Sequence, residues 1–307
     1  MKLSKLITIT GPTASGKTPF AVEIANKTAG EIISGHSRQG YRLMDIGTGK
    51  DLNEYTIGDK SIRHHLIDIK EPGEKYTLYD FQNDFHIAYQ DILLRNKTPI
   101  LCGGTGLYIE SVLRGYELKK VPKNETLRES LQNKTLDELT TILAKYKNLH
   151  NTTDTDNKKR AIRAIEIAAF QKEKKTKIQS YKAVDSLIIG ISIDRNNRRH
   201  KISSRLKARI DEGMIDEVKK ILSLGVAPDD LIYYGLEYKF VTLHVTGQIS
   251  YQEMYNKLEI AIHQFAKRQM TWFRGMERRG LNINWIDALL PMEEKVDRAM
   301  QLISKHI

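Results

Sequence analysis

The sequence predicts an α/β protein in which a parallel sheet is flanked by helices and interrupted by a helical insertion. Short apolar runs alternate with amphipathic segments over the first hundred or so residues, and this alternation is typical of strand–helix–strand units. The segment 116–180 is polar, charged and helical in its periodicity. We therefore predict a core domain formed by 1–115 and 181–307, with 116–180 as a helical insertion domain.

The individual elements follow from apolar runs and their spacing. The run at Leu6–Thr10 is rich in β-branched residues and predicts the first strand, and a glycine-rich turn follows it directly. Further strands are predicted at 31–34, 65–69, 99–102, 186–194 and, at a sheet edge, 282–285. Helices are predicted at 18–27, 81–94 and 251–276.

Composition limits the possible classes of protein. The chain has 307 residues, 40% hydrophobic and 28% charged, which suits one large domain or a core domain with an insertion. No apolar run approaches the roughly 18 residues that a membrane-spanning helix needs, and the first residues do not resemble a secretory signal. Cys102 is the single cysteine, so no intramolecular disulfide can form. We expect a cytosolic enzyme.

Positive charge is in excess and is clustered along the chain. The formal net charge is +11 and the pI is near 9.4, which predicts attraction to polyanions. Basic residues concentrate at 195–209, 158–177 and 267–279. Any one of these clusters could be a solvated helix surface, but the combination of all of them favours a nucleic-acid partner.

The turn after the first strand carries a phosphate-binding pattern. The residues Gly11-Pro-Thr-Ala-Ser-Gly16-Lys17-Thr18 fit G-x-x-x-x-G-K-[ST], and they lie between a predicted strand and a predicted helix. Such a loop directs backbone N–H groups and a helix N-terminus at phosphate oxygens. The motif predicts a P-loop NTPase-like core that binds a diphosphate through Gly11, Thr13, Ala14, Ser15, Gly16, Lys17 and Thr18. It leaves kinases, NTPases and transferases open.

Further segments, taken in order, narrow this choice. The chain reads GPTASGKT at 11–18, EIISGHSRQGYRLMDIGTGK at 31–50, HHLIDI at 64–69, PILCGGTGLYI at 99–109 and AKRQMTWFRG at 266–275. This ordered set resembles the tRNA dimethylallyltransferase family over nearly the whole chain, most weakly in the polar middle. The resemblance implies that the P-loop holds dimethylallyl diphosphate. It also implies that the prenyl group passes to the exocyclic amine of the adenosine 3′ of the anticodon.

The resemblance also implies a geometry and residue roles. The tRNA would enter one end of a channel and the donor the other, with the target base flipped out of its stack. Thr105 matches a residue near the reacting centre, and Arg205 matches an arginine that stabilises the leaving diphosphate. The P-loop motif predicts Mg²⁺ as the cofactor, with the Thr18 hydroxyl as its protein ligand, and the resemblance implies a monomer. The implied tRNA-binding residues are Ser37, Arg38, Gln39, Asn157, Arg160, Arg163, Lys267, Arg268 and Gln269.

One departure from the family pattern falls on the expected chemistry. The family usually reads Ser-Ala-Asp-Ser-x-Gln, and its Asp is the proposed general base, but this chain has His36 there. Neutral histidine can also accept a proton. Three interpretations remain open. His36 is the base, or the chain is a catalytically weakened tRNA-binding paralogue, or a nearby carboxylate such as Asp45 or Asp68 substitutes.

Other conspicuous residues have more ordinary interpretations. Because neighbouring residues of a strand point to opposite faces, we predict structural roles for His64 and His65. The chain has no C-x-x-C pair, so we predict no zinc site. Trp272 is expected either to stack on a base or to pack against a helix, and the acidic group at 211–217 is expected on a helix surface.

Two other functions compete with prenyl transfer to tRNA. A P-loop kinase or nucleotidase acting on a small metabolite would share the sheet and the P-loop, but it would bind ATP tightly. An adenylate prenyltransferase acting on a free nucleotide would share the same core. In both cases the basic clusters would be unnecessary, because neither function involves a polyanionic substrate.

Overall fold

A computed structural model describes residues 6–148, 153–173 and 181–306. The chain divides into two compact units, Met1–Tyr116 with Lys182–Ile307, and Glu117–Tyr181. The predicted domain boundaries lie one residue from these limits. Part of the second basic cluster, with Lys174, Lys175 and Lys177, lies outside the described residues.

A six-stranded parallel sheet forms the centre of the first unit. The strands are β1 Leu6–Thr10, β2 Gly30–Ser34, β3 Thr56–Ile57, β4 Lys60–Ser61, β5 His64–His65, β6 Thr98–Gly103, β7 Ser186–Ser192 and β8 Ile283–Asp287. The sheet order is β5-β2-β6-β1-β7-β8, and every neighbouring pair is parallel. Strands β3 and β4 form a separate antiparallel hairpin. The predicted α/β fold class is confirmed.

Helices cover the sheet and fill the second unit. They are α1 Lys17–Thr28, α2 Leu78–Leu94, α3 Gly106–Leu113, α4 Glu125–Gln132, α5 Leu136–Ala144, α6 Lys158–Glu173, α7 Arg195–Asp211, α8 Met214–Ser223, α9 Pro228–Tyr233, α10 Leu236–Val245, α11 Tyr251–Arg278 and α12 Met292–His306. Short 3₁₀ turns occur at Leu52–Tyr55 and Thr153–Thr155. Within the described residues no helix is long and apolar enough to cross a membrane.

Side-chain capping fixes where several of these helices begin. Thr77 caps α2 and Ser250 caps α11, each in a reciprocal capping box that satisfies N–H groups the helix leaves unpaired. Asp194 caps α7 by accepting hydrogen bonds from two backbone N–H groups. The strand predicted at 186–194 therefore ends at Ser192, because Asp194 already belongs to the helix start.

Two apolar layers enclose the sheet, one on each face. Ile7 and Ile9 of β1 pack with Phe20 and Ile24 of α1 on one side. On the other side, Leu101 of β6 packs in a cluster that includes residues of α2 and α3. Since parallel strands end at a common edge, the loops after β1, β2 and β6 meet beyond their carboxyl ends. That edge is where α/β sheets bind ligands.

One strand prediction is wrong in extent. The strand predicted at 65–69 ends at His65, because Leu66 (φ 64°) and Asp68 (φ 54°) adopt left-handed backbone conformations that no strand allows. His65 lies beside β2 and its Nε2 is 2.8 Å from a carboxylate oxygen of Glu31. The structural role predicted for His65 is therefore seen directly as a contact between β5 and β2.

Candidate active site

The loops after β2 and β6 are in direct contact. Gly35 donates a backbone hydrogen bond to the Cys102 carbonyl (2.7 Å), and Ser37 N–H donates to the Thr105 hydroxyl (3.2 Å). A Cβ atom at Gly103 would lie 2.5 Å from the backbone of Gly35, so only glycine permits this approach. The contact places position 36 next to the predicted channel residue Thr105.

The loop after β1 has the conformation of a phosphate-binding loop. Ala14 (φ 61°) and Gly16 (φ 79°) are left-handed, and Gly16 forms the N-cap of α1 without a side-chain partner. Successive N–H groups in such a turn converge on one concave side. A Cβ at Gly11 would lie 2.5 Å from the Ile191 carbonyl oxygen, so this glycine also allows the loop to pack on β7.

This loop opens into a cavity of about 370 Å³. All three predicted catalytic residues, His36, Thr105 and Arg205, line the cavity. The predicted diphosphate-binding residues that line it are Thr13, Ala14, Gly16, Lys17 and Thr18. Among the predicted tRNA-binding residues, Ser37, Arg38, Gln39, Arg268 and Gln269 line it. One cavity therefore joins the P-loop to the region around position 36.

The cavity carries cations close to the P-loop. Lys17 is buried and its Nζ donates to the Pro12 carbonyl (2.9 Å). Burial lowers the pKa of Lys17 to about 8, and the nearby Arg205 guanidinium adds to this effect. Arg205 forms an ion pair with Asp51. An anion bound here would favour the charged form of Lys17, because an opposite charge raises the pKa of an ammonium group.

Two carboxylates that were candidate substitutes for the missing aspartate do not reach the cavity. Asp45 and Asp68 both bind the ammonium group of Lys50, whose side chain is fully buried. Neither residue lines the cavity, so neither is placed to replace the aspartate, and substitution by another nearby carboxylate stays open. The acidic side chains that do line it, among the described residues, are Glu54 and Glu237.

A further carboxylate fixes the loop that carries Lys50. Glu217 accepts hydrogen bonds from the backbone N–H groups of Asp45, Ile46 and Gly47 at 2.7 to 3.0 Å, and from the Tyr238 hydroxyl at 2.6 Å. The expectation that the acidic group at 211–217 is only helix surface is therefore wrong for Glu217. Its oxygens satisfy backbone donors that would otherwise lack partners.

The two glutamines predicted to bind tRNA are buried and hold loops together. Gln39 accepts a hydrogen bond from Ser34 (3.0 Å) and donates to the Gly49 carbonyl (2.9 Å). Gln269, on α11, accepts from the backbone N–H of Thr13 and donates to the Gly104 carbonyl, both at 2.8 Å. This differs from the predicted role in tRNA binding, because the oxygen and the nitrogen of each side-chain amide already form hydrogen bonds within the protein. Gln269 connects α11 to the P-loop.

His36 is half-buried and neutral. Its Nε2 atom is buried and has no hydrogen-bond partner among the described residues. Burial lowers the pKa of His36 to about 3, and the positive charges of Lys17 and Arg205 act in the same direction. At neutral pH the imidazole is therefore uncharged, and one ring nitrogen can accept a proton. The tautomer decides which one.

Acidification should destabilise the protein through His36. Its pKa is about 3 in the folded protein and near 6.5 when unfolded, so in this interval the unfolded state binds a proton that the folded state excludes. The free energy of unfolding should therefore rise with pH across the interval. Thermal melts from pH 4 to 7 should show a flatter dependence for His36→Asn than for the parent. If melting temperature depended on pH equally in the parent and His36→Asn, the pKa assigned to His36 would be contradicted. His36→Gln serves as a second variant that cannot titrate.

The rim of the cavity combines a guanidinium group with aromatic rings. The guanidinium carbon of Arg38 lies 4.9 Å from the ring centre of Tyr233 and 6.0 Å from that of Tyr234. Tyr234 is buried and its hydroxyl bonds to Gly73 and Glu74 backbone groups, whereas Tyr233 is 48% exposed. The two rings meet edge to face at 70°, and the Tyr233 ring is the accessible one beside the Arg38 guanidinium.

A basic groove adjoins the cavity along α11. It is lined by Gln264, Lys267, Arg268, Thr271, Trp272, Gly275, Arg278 and Arg279. Arg268 lines both the groove and the cavity. Trp272 packs on Gly106, where an added Cβ would lie 2.2 Å from the indole ring, and it remains 37% exposed. The helix-packing interpretation of Trp272 is thus confirmed, and part of the ring is still accessible.

The remaining predicted tRNA-binding residues lie in the second unit. Asn157 accepts a hydrogen bond from the Arg160 N–H at the start of α6, and the Arg160 side chain pairs with Asp156 on the surface. Arg163 binds the buried carboxylate of Glu166, which also binds Arg128. Burial raises the pKa of Glu166, but hydrogen bonds led by that from Arg128 outweigh this effect and hold the pKa at about 2.

The fold and the site define a class of protein. A P-loop on a parallel sheet binds phosphate groups, and the cavity it opens into extends past this loop to the neutral imidazole of His36 and a basic rim. This is the arrangement of a two-substrate transferase. The chain belongs to the IPP transferase family. The profile of that family matches residues 39–276, and a profile described as isopentenyl transferase matches residues 4–68.

Relatives of known assignment are similar over their full length. The tRNA dimethylallyltransferase 1 of Parabacteroides distasonis is 61% identical over 307 residues and 100% of both chains. The tRNA dimethylallyltransferase 2 of Phocaeicola vulgatus is 58% identical over 303 residues and 99% of both chains. The crystal structure of a tRNA isopentenylpyrophosphate transferase from Bacillus halodurans matches with a TM-score of 0.71 at 31% identity, covering 98% of this chain and 96% of that one. The predicted family resemblance is confirmed.

Proposed function

We propose that the protein transfers a dimethylallyl group from dimethylallyl diphosphate to the exocyclic amine of the adenosine 3′ of the anticodon in tRNA. The observation that carries this proposal is the single cavity shared by the P-loop, Thr105 and His36. Such a cavity can hold a diphosphate at one end and a purine at the other. The full-length similarity to tRNA dimethylallyltransferases supports the same substrates.

The P-loop half of the cavity stabilises the leaving diphosphate. The N–H groups at the start of α1, the Lys17 ammonium and the Arg205 guanidinium lie where negative charge develops as the allylic carbon–oxygen bond breaks. These groups are fixed in advance, because Lys17 is buried and Asp51 holds Arg205. The electron pair of the broken bond stays on the diphosphate oxygen.

The donor set at the P-loop fits a magnesium ion bound together with the substrate. Thr18 lines the cavity and provides a hydroxyl oxygen, a ligand type that Mg²⁺ prefers. Within the described chain no group of three or more His, Cys, Asp or Glu side chains could hold a metal ion. Thr18 and the diphosphate oxygens would therefore hold Mg²⁺ jointly, and the ion would supply positive charge to the leaving group.

The other half of the cavity activates the acceptor. The adenine amine attacks the allylic carbon, forms the new carbon–nitrogen bond and must lose one proton. Neutral His36 has a buried Nε2 that no described residue contacts by a hydrogen bond, so it can accept a hydrogen bond from the amine and then its proton. The closed cavity holds both reactants in one orientation, which lowers the entropic cost of their meeting.

The rim and the groove suit an RNA. Arg38 and Tyr233 present flat surfaces on which an unstacked base can lie, and the basic groove along α11 leads to the cavity through Arg268. Lys267 and Arg278 add charges that attract phosphates. A small-metabolite kinase would need neither feature.

Mass spectrometry of modified tRNA tests the proposal. The protein is incubated with Mg²⁺, dimethylallyl diphosphate and tRNA, and the anticodon-loop fragment should gain one five-carbon prenyl unit. A tRNA with guanosine at the target position and a reaction without donor should show no gain. Absence of any gain on the adenosine-containing tRNA would refute the proposal.

Parallel binding measurements separate the competing functions. A kinase should bind ATP more tightly than dimethylallyl diphosphate, and an adenylate prenyltransferase should modify free AMP as readily as tRNA. A weakened paralogue should bind tRNA with a steep dependence on salt but transfer no prenyl group. We expect donor binding to exceed ATP binding, and tRNA to exceed AMP as acceptor.

A further inference from the structure

We infer that Arg209 is a second guanidinium ligand for the diphosphate of the prenyl donor, acting beside Arg205. The inference rests on the proposed function, because it assigns a further binding residue to the same site. Arg209 belongs to none of the motifs that predicted this function. Its assignment depends on where the fold places its side chain and on the lack of a partner for its Nε among the described residues.

The position of Arg209 is set by α7 and by one glycine. It follows Arg205 by one helical turn, so both side chains leave the same face of the helix. Both guanidinium groups pack on Gly49, where an added Cβ would lie 1.5 Å from Nη2 of Arg209 and 2.9 Å from Nη2 of Arg205. The left-handed Gly49 (φ 63°) therefore leaves room for two adjacent cations at the cavity wall.

Arg209 also faces the P-loop. It lines the main cavity and, with Thr13, Ala14 and Arg205, a small recess of about 20 Å³. A phosphate held by the P-loop N–H groups would thus have both arginines on one side. Adjacent guanidinium groups repel each other unless an anion lies between them.

The two arginines differ in how the protein satisfies them. Arg205 is ion-paired with Asp51. Arg209 has no ion pair within 4.0 Å among the described residues, and its buried Nε has no hydrogen-bond partner there. A guanidinium whose Nε is buried without a hydrogen-bond partner carries an unfavourable desolvation cost. A diphosphate would remove that cost by accepting the hydrogen bond that Nε of Arg209 makes to none of the described residues.

Glu237, which lines the cavity, is the carboxylate that acts most strongly on Arg209, and Asp51 acts in the same direction. Burial and the charge of Arg205 lower the pKa of Arg209, and Glu237 opposes this effect. Burial in turn raises the pKa of Glu237, which Arg209 opposes. The charge of Glu237 therefore partly offsets the charge of Arg209 without an ion pair. It should compete with the diphosphate for Arg209.

Pyrophosphate binding without RNA gives the test. Calorimetric titration of the intact protein with Mg²⁺-pyrophosphate should show affinity reduced about 10- to 100-fold in Arg209→Leu, the range expected for losing hydrogen bonds to a charged group. Arg209→Lys should lose less pyrophosphate affinity than Arg209→Leu, because lysine keeps the positive charge although it cannot make the bidentate contact. Arg298→Leu removes an arginine that pairs with Glu294 on the surface of α12, and it should bind like the parent.

Two further measurements distinguish diphosphate binding by Arg209 from a role only in the folded structure. Glu237→Gln keeps Arg209 in place and removes its competitor, so it should bind pyrophosphate more tightly than the parent. In steady-state prenyl transfer, Arg209→Leu should raise KM for the donor and leave KM for tRNA unchanged.

Equal pyrophosphate affinity in the parent, Arg209→Leu and Arg209→Lys would overturn the inference while leaving the proposed function intact. If Arg209→Leu does not fold, the same titration is made with Arg209→Lys and Glu237→Gln. Pyrophosphate affinity equal to that of the parent in both variants would overturn the inference. A parent that binds no pyrophosphate would refute the inference and the proposed function together.

Discussion

Replacing Lys17 by methionine should lower kcat/KM for prenyl transfer by about a thousandfold or more. Lys17 places a full positive charge in the P-loop, inside the cavity where the diphosphate leaves. Removing one fixed hydrogen-bond donor from a developing oxyanion costs about a hundred- to a thousandfold, and a charged donor contributes more. The measurement is steady-state transfer to tRNA at saturating Mg²⁺.

The same substitution should not unfold the protein. Burial lowers the pKa of Lys17 to about 8, so its charge is poorly solvated in the folded state, and methionine fills a similar volume without that cost. The expected melting temperature is equal to or above that of the parent. Lys27→Met, at the exposed end of the same helix α1, should leave both activity and stability unchanged. Retained activity in Lys17→Met would contradict the assignment of the P-loop to the donor.

Replacing His36 by alanine should lower the rate of the chemical step by about a hundred- to ten-thousandfold, which is the usual cost of losing a general base. The side chain lines the cavity and its Nε2 has no partner in the described chain, so the loss should fall on proton transfer. Single-turnover transfer with tRNA and donor both saturating isolates that step. KM for donor should change little, because the P-loop is untouched.

The variant His36→Asp separates the interpretations of this position. If His36 is the base, the parent should transfer the prenyl group, and aspartate should restore most of the rate that alanine loses. A silent parent with an active aspartate variant would show a weakened paralogue instead. Equal rates for the parent and His36→Ala would remove His36 from the mechanism and direct attention to Glu54 and Glu237, the cavity carboxylates whose pKa values burial raises.

The sequence was most informative where local pattern alone determines structure. The P-loop follows from residue types at fixed spacing after an apolar strand, and β6 and α11 follow from apolar periodicity, so these elements were predicted within a few residues. The extent of β5 was not predictable in this way. Its end depends on left-handed backbone at Leu66 and Asp68. Leu gives no signal for such a conformation, and Asp is enriched in it but adopts it too rarely to predict a strand end.

Contacts between segments far apart in the chain could not be predicted from local sequence patterns. Glu217 binds backbone groups more than 160 residues away, and nothing in its neighbourhood distinguishes it from surface carboxylates. Glu237 reaches the cavity only because α10 begins there. Arg209 did carry a signal, because its spacing of four from Arg205 places both on one helical face. That spacing became informative only once Gly49 was seen beneath both side chains.

The hydrogen bonds of Gln269 have a thermodynamic consequence. The helix that carries Lys267 and Arg268 along the groove also holds Thr13 of the P-loop through this one amide. With tRNA and donor bound as proposed, an adjustment of α11 to a docked anticodon would reach the donor's phosphates through these hydrogen bonds. By linkage, the factor by which one substrate changes the affinity for the other must be identical in both directions. Severing the connection with Gln269→Leu should make the two affinities independent.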